Sequence, residues 1–517
     1  MLRIATRQFR QFTIVSKSTA AFAPSENHKP KYTKLFINNK FVDAHSGKTF
    51  DTVNPANNKL IAKVAEADKT DVDIAVKAAR KAFELGSEWR TMDASQRGIL
   101  MNKLADLMER DAEILATLET IDNGKPYKVA LAADIPLSIS TIRYYAGYVF
   151  DRHLYADKYT GKTIPIDGNY FSYSRHEAIG VVGSITPWNF SLLMQIWKLA
   201  PAVAMGNTIV MKVAEQTPLT ALHVAALSKE AGFPDGVINI LPGFGHTAGS
   251  ALSQHMDVDK IAFTGSTDVG RIIMADAAKS NLKKISLELG GKSPMIIFNT
   301  DDAGINEAVD IKYITNEYCS AGSRTFVQAG IYDKFVARFK EVVEKRKLGD
   351  PFDASVDQGP QIDNNQVETI LKYIDIGKKE GARLVTGGKR YGTKGCFVEP
   401  TVFADVTSDM RIAQEEIFGP VACIIKFEDT KDIIAKANDT IYGLAAGVYT
   451  KDIDQALEVA NNMRAGTVWV NCYDVFSPAA AFGGYGASGL GRDLGEYALA
   501  SYTEVKTVTM KVNQKNS

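Results

Sequence analysis

Between Gly180 and Leu289 short apolar runs alternate with longer stretches of helical period, and the alternation repeats. Strands are predicted at Gly180 to Ile185, Thr208 to Val213, Val237 to Leu241, Lys260 to Thr264 and Ile285 to Leu289. Helices are predicted between them, over Leu192 to Ala204, Leu219 to Ala231, from about Thr247, and over Val269 to Ala277. Continuous apolar strands interleaved with helices imply a parallel sheet covered on both faces, of the dinucleotide-binding kind. A second α/β series starts near Pro294-Met295-Ile296-Ile297-Phe298 and runs to about Leu490, with Gly290-Gly291 as the expected crossing between two lobes.

Ahead of this core, Leu35 to Val42 reads as two short strands about an Asn turn. Two helices should follow. Thr70 is the expected cap of the first, which places Val72, Ala75, Ala79 and Phe83 on one face; the second runs through Ile99, Leu104, Leu107, Leu115 and Leu118 until Asn123-Gly124 stops it. A further helical run reaches about Phe150, and a protruding hairpin is predicted around Asp167-Gly168-Asn169.

Composition narrows the class. The 517 residues are 45% hydrophobic and 23% charged, and 60 basic side chains balance 60 acidic ones. That leaves no global field to hold nucleic acid or an anionic membrane, so neither is an expected partner and a small molecule is. The longest apolar region, around Ala178 to Ala204, is interrupted by Pro187, Asn189, Gln195, Lys198 and Pro201 and reads as a buried strand and helix instead of a membrane span. Cys319, Cys396, Cys423 and Cys472 form no C-x-x-C pair and no zinc-type cluster, so neither a disulfide framework nor a metal is expected. The first 24 residues carry Arg3, Arg7, Arg10 and Lys17 and no acid, the make-up of a mitochondrial transit peptide or of a disordered basic tail.

Three stretches could carry chemistry. Cys319 falls where a helical run (Ile305 to Ile314) gives way to small residues before Thr325, a setting that can expose a thiol, although isolated cysteines are commonly buried. Phe263-Thr264-Gly265-Ser266-Thr267-Asp268-Val269-Gly270 joins a strand to a helix start, where free N–H groups could meet a pyrophosphate or where the glycines could simply shape a turn. Met211-Lys212-Val213-Ala214-Glu215 closes a strand; Lys212 and Glu215 could hold ribose hydroxyls between a donor and an acceptor, or be an exposed charge pair. A carboxylate there would repel a 2′-phosphate.

Pro187-Trp188-Asn189-Phe190, Lys212 with Glu215, Phe263-Thr264-Gly265-Ser266-Thr267, Leu287-Glu288-Leu289-Gly290-Gly291-Lys292, Cys-Ser-Ala-Gly-Ser-Arg from Cys319, and Glu415-Glu416-Ile417-Phe418-Gly419-Pro420 follow one another in an order that resembles the NAD-dependent aldehyde dehydrogenases. The likeness runs from about Leu35 to the C-terminus, and with the basic leader and Asn471 to Phe476 it is strongest to the mitochondrial class that oxidises small aldehydes. The resemblance implies an α/β fold with a parallel-sheet dinucleotide-binding domain (28–155 and 179–290), an α/β catalytic domain (291–490), and a small β oligomerisation element (hairpin 156–178, C-terminal strand 491–517), after a leader over 1–24. It implies Cys319 as nucleophile, Glu288 as general base and Asn189 as oxyanion donor; Ile185, Trp188, Lys212, Glu215, Gly265, Ser266, Glu416 and Phe418 as contacts of an NAD cofactor; and Phe190, Met194, Trp197 and Phe476 as walls of a substrate tunnel suited to short or flat aldehydes. A homotetramer in the mitochondrial matrix is the assembly it implies.

One stretch departs from that pattern. The family's F-x-N-x-G-Q lead-in is replaced by Ile314-Thr315-Asn316-Glu317-Tyr318, and the segment is short by roughly five residues, about 1.4 helical turns. Glu317 is expected to raise the pKa of the nearby sulfur by its charge. The alternative this motivates is a catalytically weakened NAD-binding homologue serving as a partner subunit; a hydrolase using only Cys319 and Glu288 is a third reading.

Overall fold

The computed structural model describes residues 22–150, 161–311 and 317–513. Most of the leader, the start of the expected hairpin and Ile314 to Asn316 of the lead-in lie outside them.

The strand and helix alternation is present, organised into two large sheets. The first has eight strands in the order Gly489–Leu490, Lys284–Glu288, Lys260–Thr264, Val181–Ile185, Thr208–Val213, Ile238–Pro242, Leu35–Ile37, Lys40–Val42. Its five central strands are mutually parallel, and they are buried along nearly their whole length because helices cover both faces. The second sheet has seven strands, Arg383–Thr386, Thr401–Ala404, Val421–Phe427, Arg324–Gln328, Pro294–Ile297, Ala445–Tyr449 and Thr467–Val470, parallel apart from its first pair. The chain passes from one sheet to the other through 289–293, and Gly489–Leu490 returns to the first sheet, antiparallel to Lys284–Glu288.

Several local expectations are corrected. Asp68, not Thr70, caps helix Lys69–Ala82: its carboxylate accepts from the N–H groups of Thr70 and Asp71, and Asp71 answers by accepting from the Asp68 N–H, a reciprocal box that a threonine two residues further in cannot make. The long second helix is two, Ala94–Arg110 and Ala112–Asn123, broken at Asp111, whose carboxylate holds Arg110 and His223. The helix expected from Thr247 opens as a π-helical turn, Gly245–Gly249, before Ser250–Gln254.

A third sheet stands apart. Thr503–Lys511 pairs antiparallel with all of Tyr170–Ala178, and Thr163–Ile164 pairs on the far side of that strand. Thr503–Lys511 is left as an edge with Val505 and Met510 exposed.

Candidate active site

The carboxyl ends of the parallel strands converge on one cavity of about 410 Å³. Each catalytic candidate reaches it from a different element. Glu288 is the last residue of strand Lys284–Glu288, Asn189 lies between strand Val181–Ile185 and helix Ser191–Ala204, and Cys319 lies in the turn that enters strand Arg324–Gln328 of the second sheet. All three line the cavity, together with Trp188, Gly265, Ser266, Glu416 and Phe418 on one side and Phe190, Met194, Trp197 and Phe476 on the other. Ile185, Lys212 and Glu215 do not line it; they close the same strand ends next door.

The electrostatics hold the sulfur protonated at rest. Burial pushes the Cys319 thiol well up, and the carboxylates of Glu416, Glu288 and Asp474 push it further, while the Ser320 N–H opposes them. The expected contribution from Glu317 is overturned. Its side chain accepts from the Ile362 N–H at 2.9 Å, and burial raises its own carboxyl to about 8, so it is neutral at pH 7. Glu288 is likewise raised well above the usual carboxylate range, chiefly by burial and then by Asp493, with Lys198 and Arg492 pulling the other way. Its Oε2 is buried without a hydrogen-bond partner, an acceptor aimed at nothing in the protein. A protonated thiol beside a carboxyl group of raised pKa is a pair able to exchange a proton.

Close main-chain approach joins the two lobes. Gly291 donates its N–H to Glu416 Oε1 at 2.9 Å, and a Cβ on Gly291 would stand 2.5 Å from the Cys319 carbonyl oxygen, so only glycine lets the Cys319 turn sit here. Burial raises the Glu416 carboxyl to about 7, against the pull of the Gly291 N–H and Lys292.

On the nucleotide side, Lys212 and Glu215 pair at 3.2 Å at a strand's carboxyl end, a donor and an acceptor spaced for vicinal hydroxyls. Burial lowers the Lys212 ammonium and Glu215 partly restores it. Ser266 caps helix Thr267–Lys279 by accepting from the Val269 N–H, and a Cβ on Gly265 would stand 2.4 Å from the Phe263 ring, leaving a bare backbone cradle before a helix start. This donor set fits a dinucleotide.

The wall formed by Phe190, Trp197 and Phe476 is aromatic. Phe476 packs against Trp197 and Phe482 with ring centroids 6.0 and 5.4 Å away, and Tyr318 lies 4.8 Å from Phe190. Trp188 meets Phe418 edge-on at 5.3 Å.

This assembly can be set beside known proteins. The aldehyde dehydrogenase family profile matches residues 41–508. The chain belongs to the aldehyde dehydrogenase family. It is 56% identical over 526 residues to the human mitochondrial aldehyde dehydrogenase, covering 100% of both chains. It is 58% identical to aldehyde dehydrogenase 1A1 of Gallus gallus, covering 96% of each. A solved NAD+ complex of aldehyde dehydrogenase from Bacillus cereus superposes with a TM-score of 0.90 at 50% identity, over 93% of this chain and 97% of that one. The alternative of a weakened partner subunit gains no support from these likenesses.

Residues that sequence reasoning passed over also stand close to Glu288 in this aldehyde dehydrogenase. Lys198 entered only as an interruption of an apolar run, yet it forms a fully buried ion pair with Asp493 beside Glu288. A lysine within a helix of otherwise apolar residues was the available signal. Nothing local marks Asp493, which comes to Glu288 from a distant part of the chain.

Proposed function

We propose that this aldehyde dehydrogenase oxidises short or flat aldehydes to carboxylic acids with NAD, as a homotetramer of the mitochondrial matrix. The observation that carries this is the meeting of Cys319, Glu288 and Asn189 in one cavity at the strand ends where a dinucleotide fits. The Bacillus cereus relative solved with NAD+ supports the cofactor, and the mitochondrial relatives from human and pig support the compartment. An exposed edge strand with Val505 and Met510, and the exposed Val269, Ile272 and Met274 of helix Thr267–Lys279, are apolar surfaces that other subunits would cover.

The residues divide the work as follows. Glu288 takes the proton from Cys319 Sγ, and the thiolate attacks the aldehyde carbon. The Asn189 amide and the Cys319 N–H hold the oxyanion that forms. NAD, when bound by Lys212, Glu215, Gly265, Ser266 and Glu416, with Ile185, Trp188 and Phe418 around it, supplies the hydride acceptor. Loss of hydride from the adduct leaves a thioester on Sγ. Glu288, having released to solvent the proton taken from Sγ, then removes a proton from water, whose oxygen attacks the thioester; the acid departs and Glu288 returns that proton to Sγ. Phe190, Met194, Trp197 and Phe476 exclude water and confine the substrate to a narrow apolar passage.

Purified protein with NAD and propanal tests this. NADH formation that disappears in Cys319→Ala is expected. NAD binding without turnover, or ester cleavage that needs no cofactor as the sole activity, would overturn it.

A further inference from the structure

Glu317, two positions before Cys319, has a φ of 55°, a left-handed conformation uncommon for a residue with a side chain, and is 7% exposed. Two long-range bonds hold it there. Its Oε1 accepts from the Ile362 N–H at 2.9 Å, and its main-chain carbonyl accepts from Asn189 Nδ2 at 2.7 Å. Ile362 belongs to the second lobe and Asn189 to the first, so the two lobes grip the same residue from opposite sides. Beyond the sulfur, Tyr473 donates its hydroxyl to the Ser320 carbonyl at 2.7 Å and the Ser320 hydroxyl donates to Asp474 at 2.9 Å. The nucleophile is thus fastened on both flanks.

The bond from Asn189 does more than hold the turn. A primary amide has two hydrogens on one planar nitrogen. With one committed to the Glu317 carbonyl, the amide plane is set and the other hydrogen is left for the cavity that Asn189 lines. The Glu317 side chain fixes the carbonyl that fixes the amide. Because burial keeps its carboxyl protonated at neutral pH, the bond to Ile362 leaves no buried charge unpaired.

We propose that Glu317 is a positioning residue that sets the sulfur of Cys319 and the oxyanion-binding amide of Asn189 together, through one carbonyl locked by its own side chain. This rests on the reading of Cys319 as nucleophile and Asn189 as oxyanion donor. Removing the side chain lets the carbonyl turn, and both catalytic groups lose their aim at once. An amide in place of the acid keeps an acceptor for Ile362 at the same reach.

A double-mutant cycle in the full-length enzyme with NAD and propanal tests it. Glu317→Ala is expected to lower kcat by about 10²-fold. Its NAD affinity stays within about twofold of the unaltered enzyme, and Cys319 alkylation by iodoacetamide slows. Glu317→Gln restores kcat to within about threefold. In an Asn189→Ala background Glu317→Ala costs clearly less than its single effect on ln kcat, since the amide it aims is gone and only the sulfur is left to misplace. Where Glu317→Ala does not fold, Glu317→Asp, with its acceptor drawn back by one methylene, is read in its place. Multiplicative losses, or a Gln variant as poor as Ala, overturn the proposal while leaving the oxyanion role of Asn189 intact. An Asn189→Ala enzyme with unchanged kcat removes the oxyanion reading and this proposal with it.

Discussion

Lys198 and Asp493 form an ion pair with neither side chain more than 2% exposed, and the pair lies beside Glu288. Its two charges act on that carboxyl in opposite directions: Asp493 raises its pKa and Lys198 lowers it. In the proposed mechanism Glu288 works as a base when deprotonated, so the pair would set where the acid limb of the rate profile falls. Asp493→Asn removes the repulsion and leaves the ammonium, and the acid limb of kcat should move to lower pH. Lys198→Met leaves the carboxylate, and the limb should move to higher pH. Each change also strands a buried partner and should cost about 3–5 kcal/mol of stability. A pH profile of NADH formation with a denaturant midpoint for each variant checks both statements, and limbs that move the same way contradict the first.

Glu288→Gln separates the two halves of the reaction. A glutamine cannot take a proton from water, while the sulfur can still be ionised by raising the pH. At alkaline pH one equivalent of NADH per active site should appear in a burst, followed by turnover lowered by about 10²–10⁴-fold. Rapid mixing with absorbance detection measures it. A uniform slow phase with no burst would place the loss before the thioester.

Glu416 gives a pH-dependent stability of definite sign. Its carboxyl sits at about 7 in the fold against an ordinary 4.5. The fold therefore holds this proton more tightly than the unfolded chain does, and the stabilisation is complete below pH 4.5 and lost as pH rises through about 7. The loss is on the order of 3 kcal/mol. Glu416→Gln lacks the titration, so its melting temperature relative to the unaltered enzyme should climb between pH 5 and 8. Calorimetry across that range reads it, and a difference that stays flat or falls contradicts the burial of this carboxyl.

Much of this architecture was legible in the chain because its signals are local. Thr208–Val213, Leu219–Ala231 and Lys260–Thr264 occupy the positions that the alternation of short apolar runs and longer helical stretches assigns them, since buried strands and helices of these lengths are written directly into the sequence. Asp68 was missed because a cap depends on which side chain the backbone turns toward, and Thr70 sits in the same few residues. The candidates Asn189, Glu288 and Cys319 lie in motifs that the sequence shows, and they line one cavity, but the charges around them leave no such mark. Lys198 and Asp493 are 295 positions apart, and a contact of that span leaves no periodic trace. The formal charge of Glu317 misleads, because burial raises its carboxyl to about 8 and its Oε1 is engaged by the Ile362 N–H.

The aromatic passage sets the last expectation, which concerns substrate size. Phe476 is held between Trp197, Trp469 and Phe482, with centroids 6.0, 5.6 and 5.4 Å away, so it cannot swing aside to admit a broad substrate. Phe476→Ala removes a ring from the wall without touching Cys319, Glu288 or Asn189. Propanal does not fill the space gained and loses apolar contact, so its KM should rise with kcat little changed. A retinal-sized aldehyde gains entry, and its kcat/KM relative to propanal should increase by about tenfold. Paired kinetics on the two aldehydes measure the ratio, and a ratio unchanged by the substitution would show that the passage is closed elsewhere, with the Phe190 and Tyr318 pair the next constriction to truncate.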